Sequence, residues 1–213
     1  MIKIIKKGSE PSIFPKLRSE YGNYDNIGDQ KSLLKEILIS EQNYRCVYCM
    51  RKINMNTSSI EHYVPRHGDN GDISKSLDYR NLFAVCKITE GRPYKKQTCD
   101  VRKGDSLLHI SPLNETHINS IEYKRNGEMY SNNHDFNDDI NNTLNLNEMT
   151  LVQSRFEAYR SLLDIMNTKK KNNWSKKFIE QTLNKFLDKD NRQPYIGFII
   201  YNLKKRLSKM WYI

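Results

Sequence analysis

Cys46-Val47-Tyr48-Cys49 has the spacing of a metal knuckle, in which two thiolates flanking a two-residue turn reach one tetrahedral ion. Cys86 and Cys99 are the only other cysteines in the chain. The four together would fill the ligand shell of a structural Zn2+, although twelve residues separate the second pair, a looser spacing than a second knuckle. A redox role for the CxxC lacks the βαβ context it needs. Between the two pairs lies Ile60-Glu61-His62-Tyr63-Val64-Pro65. A complete four-sulfur site leaves the imidazole free for other chemistry. Phosphodiester hydrolysis needs a base that deprotonates water near neutral pH and a divalent ion that bears charge on the phosphate and leaving oxygen. A neutral His62 suits the first need, and the carboxylate of Glu61, as a metal ligand, suits the second. Neighbours on a regular strand face opposite ways, so the pair is expected on a bulged or bent strand, with Pro65 at the bend.

The elements that must position these groups can be read in outline. Residues 1–28 mix Gly, Pro, Ser and Asn and are expected to form an irregular N-terminal arm. Leu33, Leu34, Ile37 and Leu38 recur at helical spacing between Asp29 and Gln42. Residues 29–110 form the expected chemical domain, with short β pieces, a polar loop at "RHGDNGDISKS" and a helix near "YRNLFAVC". Residues 111–146 read as a loop-rich, acidic connector. "DFNDDI" is no EF-hand, because Ile140 stands where the glycine is needed and Leu146 where the bidentate acid is needed. Residues 147–213 carry three helical stripes, the first behind an asparagine cap and the last with Pro194 at its N1 position. With the zinc block complete by about residue 105, this region is expected to dock a partner protein through residues such as Tyr195, Phe198 and Tyr201, with Lys204, Lys205 and Arg206 at the rim.

Lys+Arg 35 against Asp+Glu 25 gives a formal net charge of +10, and residues 151–213 alone hold fourteen Lys/Arg against five Asp/Glu. A balance that basic points to a polyanionic partner, with nucleic acid ahead of a membrane surface. No apolar run is long enough to span a bilayer. The N-terminus has no apolar segment before Gly8 and Pro11, so no signal peptide is expected; a cytoplasmic setting would keep the thiols reduced.

Taken in order, "YRCVYC", "IEHYVP", "YRNLFAVC" and "CDVRKG" resemble the HNH endonuclease family. The resemblance implies an α+β fold: a zinc-stapled ββα-metal core, here with a C-terminal α-helical extension. It implies that His62 is the general base, that Glu61 and Asp100 ligate a catalytic Mg2+ or Mn2+, that Asn81 braces the loop carrying the histidine, and that Lys103 lies near the phosphate. The chain departs from the family pattern in having Glu before the histidine, Asp at the last position, and the insert "KITEGRPYKKQT" between the last two cysteines. Further on, "LNLN", "VQSRFEAYR" and "YIGFIIYNLKKRLSK" are similar to the C-terminal half of the HNH proteins of Septu-type and related retron anti-phage systems. That likeness implies a defence role and an ABC/SMC-like ATPase partner; for the nucleic-acid partner, DNA is expected ahead of RNA. The alternative from another class is a non-catalytic zinc-stapled module that binds nucleic acid or bridges proteins.

Overall fold

The structure, a computed structural model, describes residues 1–170 and 173–210. The end of the last helical stripe, from Trp211 on, lies outside the described residues. The fold is α+β with two small sheets. Helices α1 (Ile13–Tyr21) and α2 (Gln30–Glu41) precede the antiparallel pair β1 (Ser58–His62) and β2 (Leu82–Cys86), which is followed by the one-turn helix α3 (Asp100–Lys103). Then come α4 (Glu115–Asn119), the hairpin β3 (Ile121–Tyr123) and β4 (Met129–Ser131), and α5 (His134–Asp138). Three longer helices, α6 (Met149–Lys170), α7 (Lys176–Leu187) and α8 (Ile196–Lys209), complete the chain.

β2 is "LFAVC", buried at every position, and it is a strand where a helix was expected. A five-residue apolar run carries no periodicity that separates the two. The helical feature nearby is a single 3-10 turn, Tyr79–Asn81, whose Asp78 side chain accepts from the Arg80 amide at 2.8 Å. A two-stranded sheet is marginal on its own, and here Gln42 completes it. Its side chain accepts from the Ala84 amide at 2.8 Å and donates to the Ala84 carbonyl at 2.7 Å, standing in for a third strand.

The first 28 residues are not an irregular arm. α1 buries Phe14 and Leu17, and Met1, Ile4 and Ile27 join the same core as the cysteines. The acidic connector likewise folds into short elements rather than loops. "LNLN" alternates: Leu144 and Leu146 are fully buried, while the Asn145 amide donates to the Lys95 and Gln97 carbonyls. Asn147 clamps β4 through both atoms of the Met129 peptide instead of capping α6; the Glu148 carboxylate accepts from the Thr150 amide there.

The C-terminal helices are part of this core. Phe198, Ile199 and Leu203 of α8 are 0% exposed, and so is Arg155 of α6, whose guanidinium donates to the Gly127 and Leu146 carbonyls. Tyr195 and Phe198, expected on an exposed docking patch, are buried. Pro194 sits two residues before the first helical residue, not at N1, because Tyr195 takes a left-handed backbone conformation as the N-cap. That turn lets the Tyr195 amide donate to the Met50 carbonyl at 3.0 Å, just past the cysteine knuckle. Gly197 then lies so close that a Cβ would fall 2.6 Å from the Met1 carbonyl oxygen and 2.9 Å from the Met50 sulfur. Gly197→Ala is therefore expected to destabilise the chain by about 1–3 kcal/mol through overpacking. Thermal unfolding followed by circular dichroism should show Tm lower by several degrees, roughly 2–4 °C per kcal/mol at this size; an unchanged Tm would mean that α8 is not seated on the knuckle.

Candidate active site and metal centre

The four cysteines converge from three pieces of chain. Cys46 and Cys49 come from the turn before β1, Cys86 ends β2, and Cys99 immediately precedes α3. Their sulfurs lie within 4.8 Å of one another and all four residues are buried. The Cys46–Cys99 and Cys49–Cys86 sulfur pairs are 3.8 and 3.6 Å apart. A tetrahedral ion with Zn–S bonds of about 2.3 Å would set its sulfurs about 3.8 Å apart, so the four could hold a zinc ion. Their electrostatics agree. Hydrogen bonds from Cys46, Cys86 and Cys99 pull the Cys49 thiol far down, whereas those with Cys46 and Cys49 push Cys86 up against the opposite pull of Cys99, and burial pushes Cys99 up. One thiolate is comfortable there, and four call for a cation.

The acid of the Glu61-His62 pair is 2% exposed. Its Oε1 accepts from the Tyr48 hydroxyl at 2.7 Å and pairs with the Lys103 ammonium at 2.9 Å. Burial, then the hydrogen bond and charge of Asp100, raise the Glu61 carboxyl well above the ordinary carboxylate range, against the opposing pull of Lys103 and Tyr48. Two carboxyl groups thus share one buried site, an arrangement that a divalent cation relieves and that fits the donor set of Mg2+ or Mn2+. Lys103 itself is nine-tenths or more buried: its ammonium is held by Glu61, the His62 carbonyl at 3.2 Å and the Gly104 carbonyl. It stands behind the acid and is absent from the walls of the cleft described below.

β1 carries no bulge. Glu61 pairs opposite Phe83 and His62 opposite Leu82 in regular register, and the chain bends only after the strand ends. The two side chains leave on different sides, Glu61 toward the knuckle and α3, His62 toward Ser76 and Tyr24. Both still line one cleft of about 170 Å³, because that cleft lies at the end of the strand; Pro65, Arg66, His67, Asp100 and Asp105 complete its walls.

The His62 imidazole is 8% exposed, and its Nε2 lies 3.0 Å from the Ser76 carbonyl. A carbonyl only accepts, so Nε2 carries the proton in the neutral ring and Nδ1 keeps the lone pair. Burial first, helped by Arg66 and Lys103, holds the ring down at about 4, so it is neutral at pH 7. The Asn81 amide fixes the residues just beyond it. Its Oδ1 accepts from the Val64 amide at 2.7 Å, and its Nδ2 donates to the Val64 and Lys75 carbonyls at 3.0 and 3.1 Å.

Tyr24 and Asp25, in a stretch read as an irregular arm, belong to this site. The Tyr24 ring meets the His62 ring edge-on at 4.7 Å between centroids, and Asp25 pairs with Arg66 and with His67 at 3.3 Å. Tyr48, inside the CxxC, supplies the hydroxyl on Glu61. Arg66 and His67 follow the motif directly, and only their position beside it in sequence could have marked them.

No family model matches the chain. Over 82 residues it is 35% identical to a curated relative of Vibrio cholerae serotype O1 biovar El Tor named "Retron Vc95 putative HNH endonuclease". The match covers 38% of this chain and 38% of the relative's length. No described helix is long and apolar enough to cross a membrane. With the cysteine tetrad and the carboxyl–imidazole cleft already in view, this relative supports the HNH endonuclease family for the chain.

Proposed function

We propose that the chain is a metal-dependent endonuclease that hydrolyses phosphodiester bonds in nucleic acid. The observation that carries this reading is a buried, neutral imidazole sharing one cleft with the carboxyl groups of Glu61 and Asp100. Glu61 and Asp100 would hold the divalent ion, which when bound supplies charge neutralisation on the phosphate and on the leaving oxygen. His62 takes a proton at Nδ1 from the attacking water as the water oxygen bonds to phosphorus, the phosphorus–oxygen bond to the leaving group breaks, and the imidazolium is then free to give its proton to the leaving oxygen through solvent. Lys103 keeps Glu61 aimed at the cleft, and Asn81 keeps the main chain after His62 from drifting. At the mouth, Arg66 is the cation available to a scissile phosphate, paired meanwhile with Asp25. The cysteine tetrad would hold a structural Zn2+ with no part in the reaction. A role in anti-phage defence is supported by the retron in the relative's name; an ABC/SMC-like ATPase partner rests on the C-terminal motif likeness alone. DNA is the target we assign ahead of RNA.

Two expectations follow from the separate duties of sulfur and imidazole. Elemental analysis of protein never exposed to chelator should find about one zinc per chain, and Cys49→Ser should lose both the metal and the cooperative unfolding of the block. Less than about half a mole per chain in the wild type would exclude the structural zinc. His62→Ala should keep its zinc and its circular dichroism but lose on the order of 10²–10⁴-fold in cleavage of a mixed DNA and RNA panel with Mg2+ or Mn2+. Wild-type cleavage by that folded variant would remove the histidine from the reaction, and with it this reading.

A further inference from the structure

A second concavity, of about 490 Å³, lies between the β3–β4 hairpin and helices α6 and α8, and shares no residue with the catalytic cleft. Its size falls in the range of small-ligand sites. Its floor is apolar and aromatic, made by Tyr123, Tyr159 and Phe156, and Phe156 is 42% exposed although it is a phenylalanine on a solvent face. Its rim is cationic and holds no acid. Arg125, Arg160 and Lys209 are exposed and have no hydrogen-bond, ion-pair or ring partner among the described residues. Arg206 is held in place beside them, donating to the Tyr159 hydroxyl at 2.7 Å and stacking over Trp174 at 5.0 Å.

Exposed, unpaired cations around an apolar concavity suit a ligand that is anionic at one end and apolar at the other. We propose that this concavity binds a nucleotide, with the base against Phe156 and the phosphate between Arg125, Arg160 and Lys209. Guanidinium groups take phosphate oxygens bidentately, and a planar base is the apolar body that an exposed ring accepts by stacking. Asn202 lies in the wall; its Nδ2 donates to the Phe198 carbonyl, which leaves its Oδ1 to accept from an N–H group of the base. An acidic peptide would satisfy the rim but gives no reason for three rings in the lining. The nucleotide could be free, or one unit of a single strand; the chemistry is the same. The site goes beyond the endonuclease reading and stands whether or not the cleft cuts.

The test uses the full chain in buffer without Mg2+ or Mn2+, so that no probe is cut. ATP and a fluorescent oligo-dT strand are titrated separately against wild type, Phe156→Ala and Arg160→Ser. Both side chains are exposed, and zinc content with circular dichroism checks each fold. Loss of roughly 5–150-fold in affinity on Phe156→Ala, the range for one stacked base, is expected for at least one probe, with a loss on Arg160→Ser that shrinks at higher salt. Response of ATP assigns a free nucleotide, and response of the strand alone assigns a nucleotide within single-stranded nucleic acid. Binding of both probes unchanged by the two substitutions, or no binding of either, overturns the site. So does capture of an acidic, aromatic-bearing peptide that depends on Phe156 and Arg160 while neither nucleotide probe competes.

Discussion

Four buried sulfur atoms within 4.8 Å of one another impose the constraint on which this protein's chemistry depends. They join the knuckle before β1, the end of β2 and the start of α3. Because Cys86 is the last residue of β2 and pairs opposite Ser58, fixing that sulfur fixes the register of β1. Glu61 and His62 are then carried to the far end of the strand, three and four residues on. A slip of one residue would exchange the two faces. Cys99 works from the other side. It adopts a positive φ of 59° and anchors the turn Asp100–Lys103, so that Asp100 and Lys103, three residues apart on one helical turn, face the same acid.

That arrangement creates an electrostatic problem confined to a few ångströms. Glu61 is buried with one ammonium and one further carboxyl group, and burial together with Asp100 outweighs Lys103 in setting its protonation. The imidazole beside it is solved differently: it is kept neutral by burial, with one nitrogen committed to a backbone carbonyl. Adjacent residues thus meet opposite demands, because the strand sends one toward the acid–ammonium cluster and the other toward Ser76 and Tyr24. The bulge that seemed necessary to bring them together is replaced by the position of the cleft, which opens where the strand stops.

The residues that the sequence marked for chemistry, the cysteines, Glu61 and His62 by type and spacing and Asp100 by the family resemblance, meet in space: the four cysteines converge, and Glu61, His62 and Asp100 line one cleft. Asn81, marked by the family resemblance alone, satisfies three backbone groups, the Val64 amide and the Val64 and Lys75 carbonyls. What escaped was packing between distant segments. Nothing local in residues 1–28 announces that Phe14 and Leu17 will be buried or that Tyr24 will face His62. The five apolar residues of β2 carry no period, so strand and helix could not be told apart there. Amphipathic stripes on α6 and α8 were visible, but a stripe does not say whether its partner is the same chain or another. The answer for Phe198 and Leu203 is the same chain.

The positive charge of the last third divides along the same line. Arg155 and Arg160 lie five residues apart on α6, a spacing that turns the helix by about 140° and sends them to different faces. Arg155 is fully buried and spends its guanidinium on the Gly127 and Leu146 carbonyls, so it is a strut of the hairpin rather than part of a basic surface. Arg160 is exposed and unpartnered among the described residues. A count of basic residues treats the two alike, although only the second can meet an anion. Since the inner faces of α6 and α8 are seated in the core that holds the cysteines, their outer, cationic faces are carried on the same scaffold as the catalytic cleft. An anion bound there would be held at a fixed distance from His62, which a flexibly tethered basic tail could not achieve.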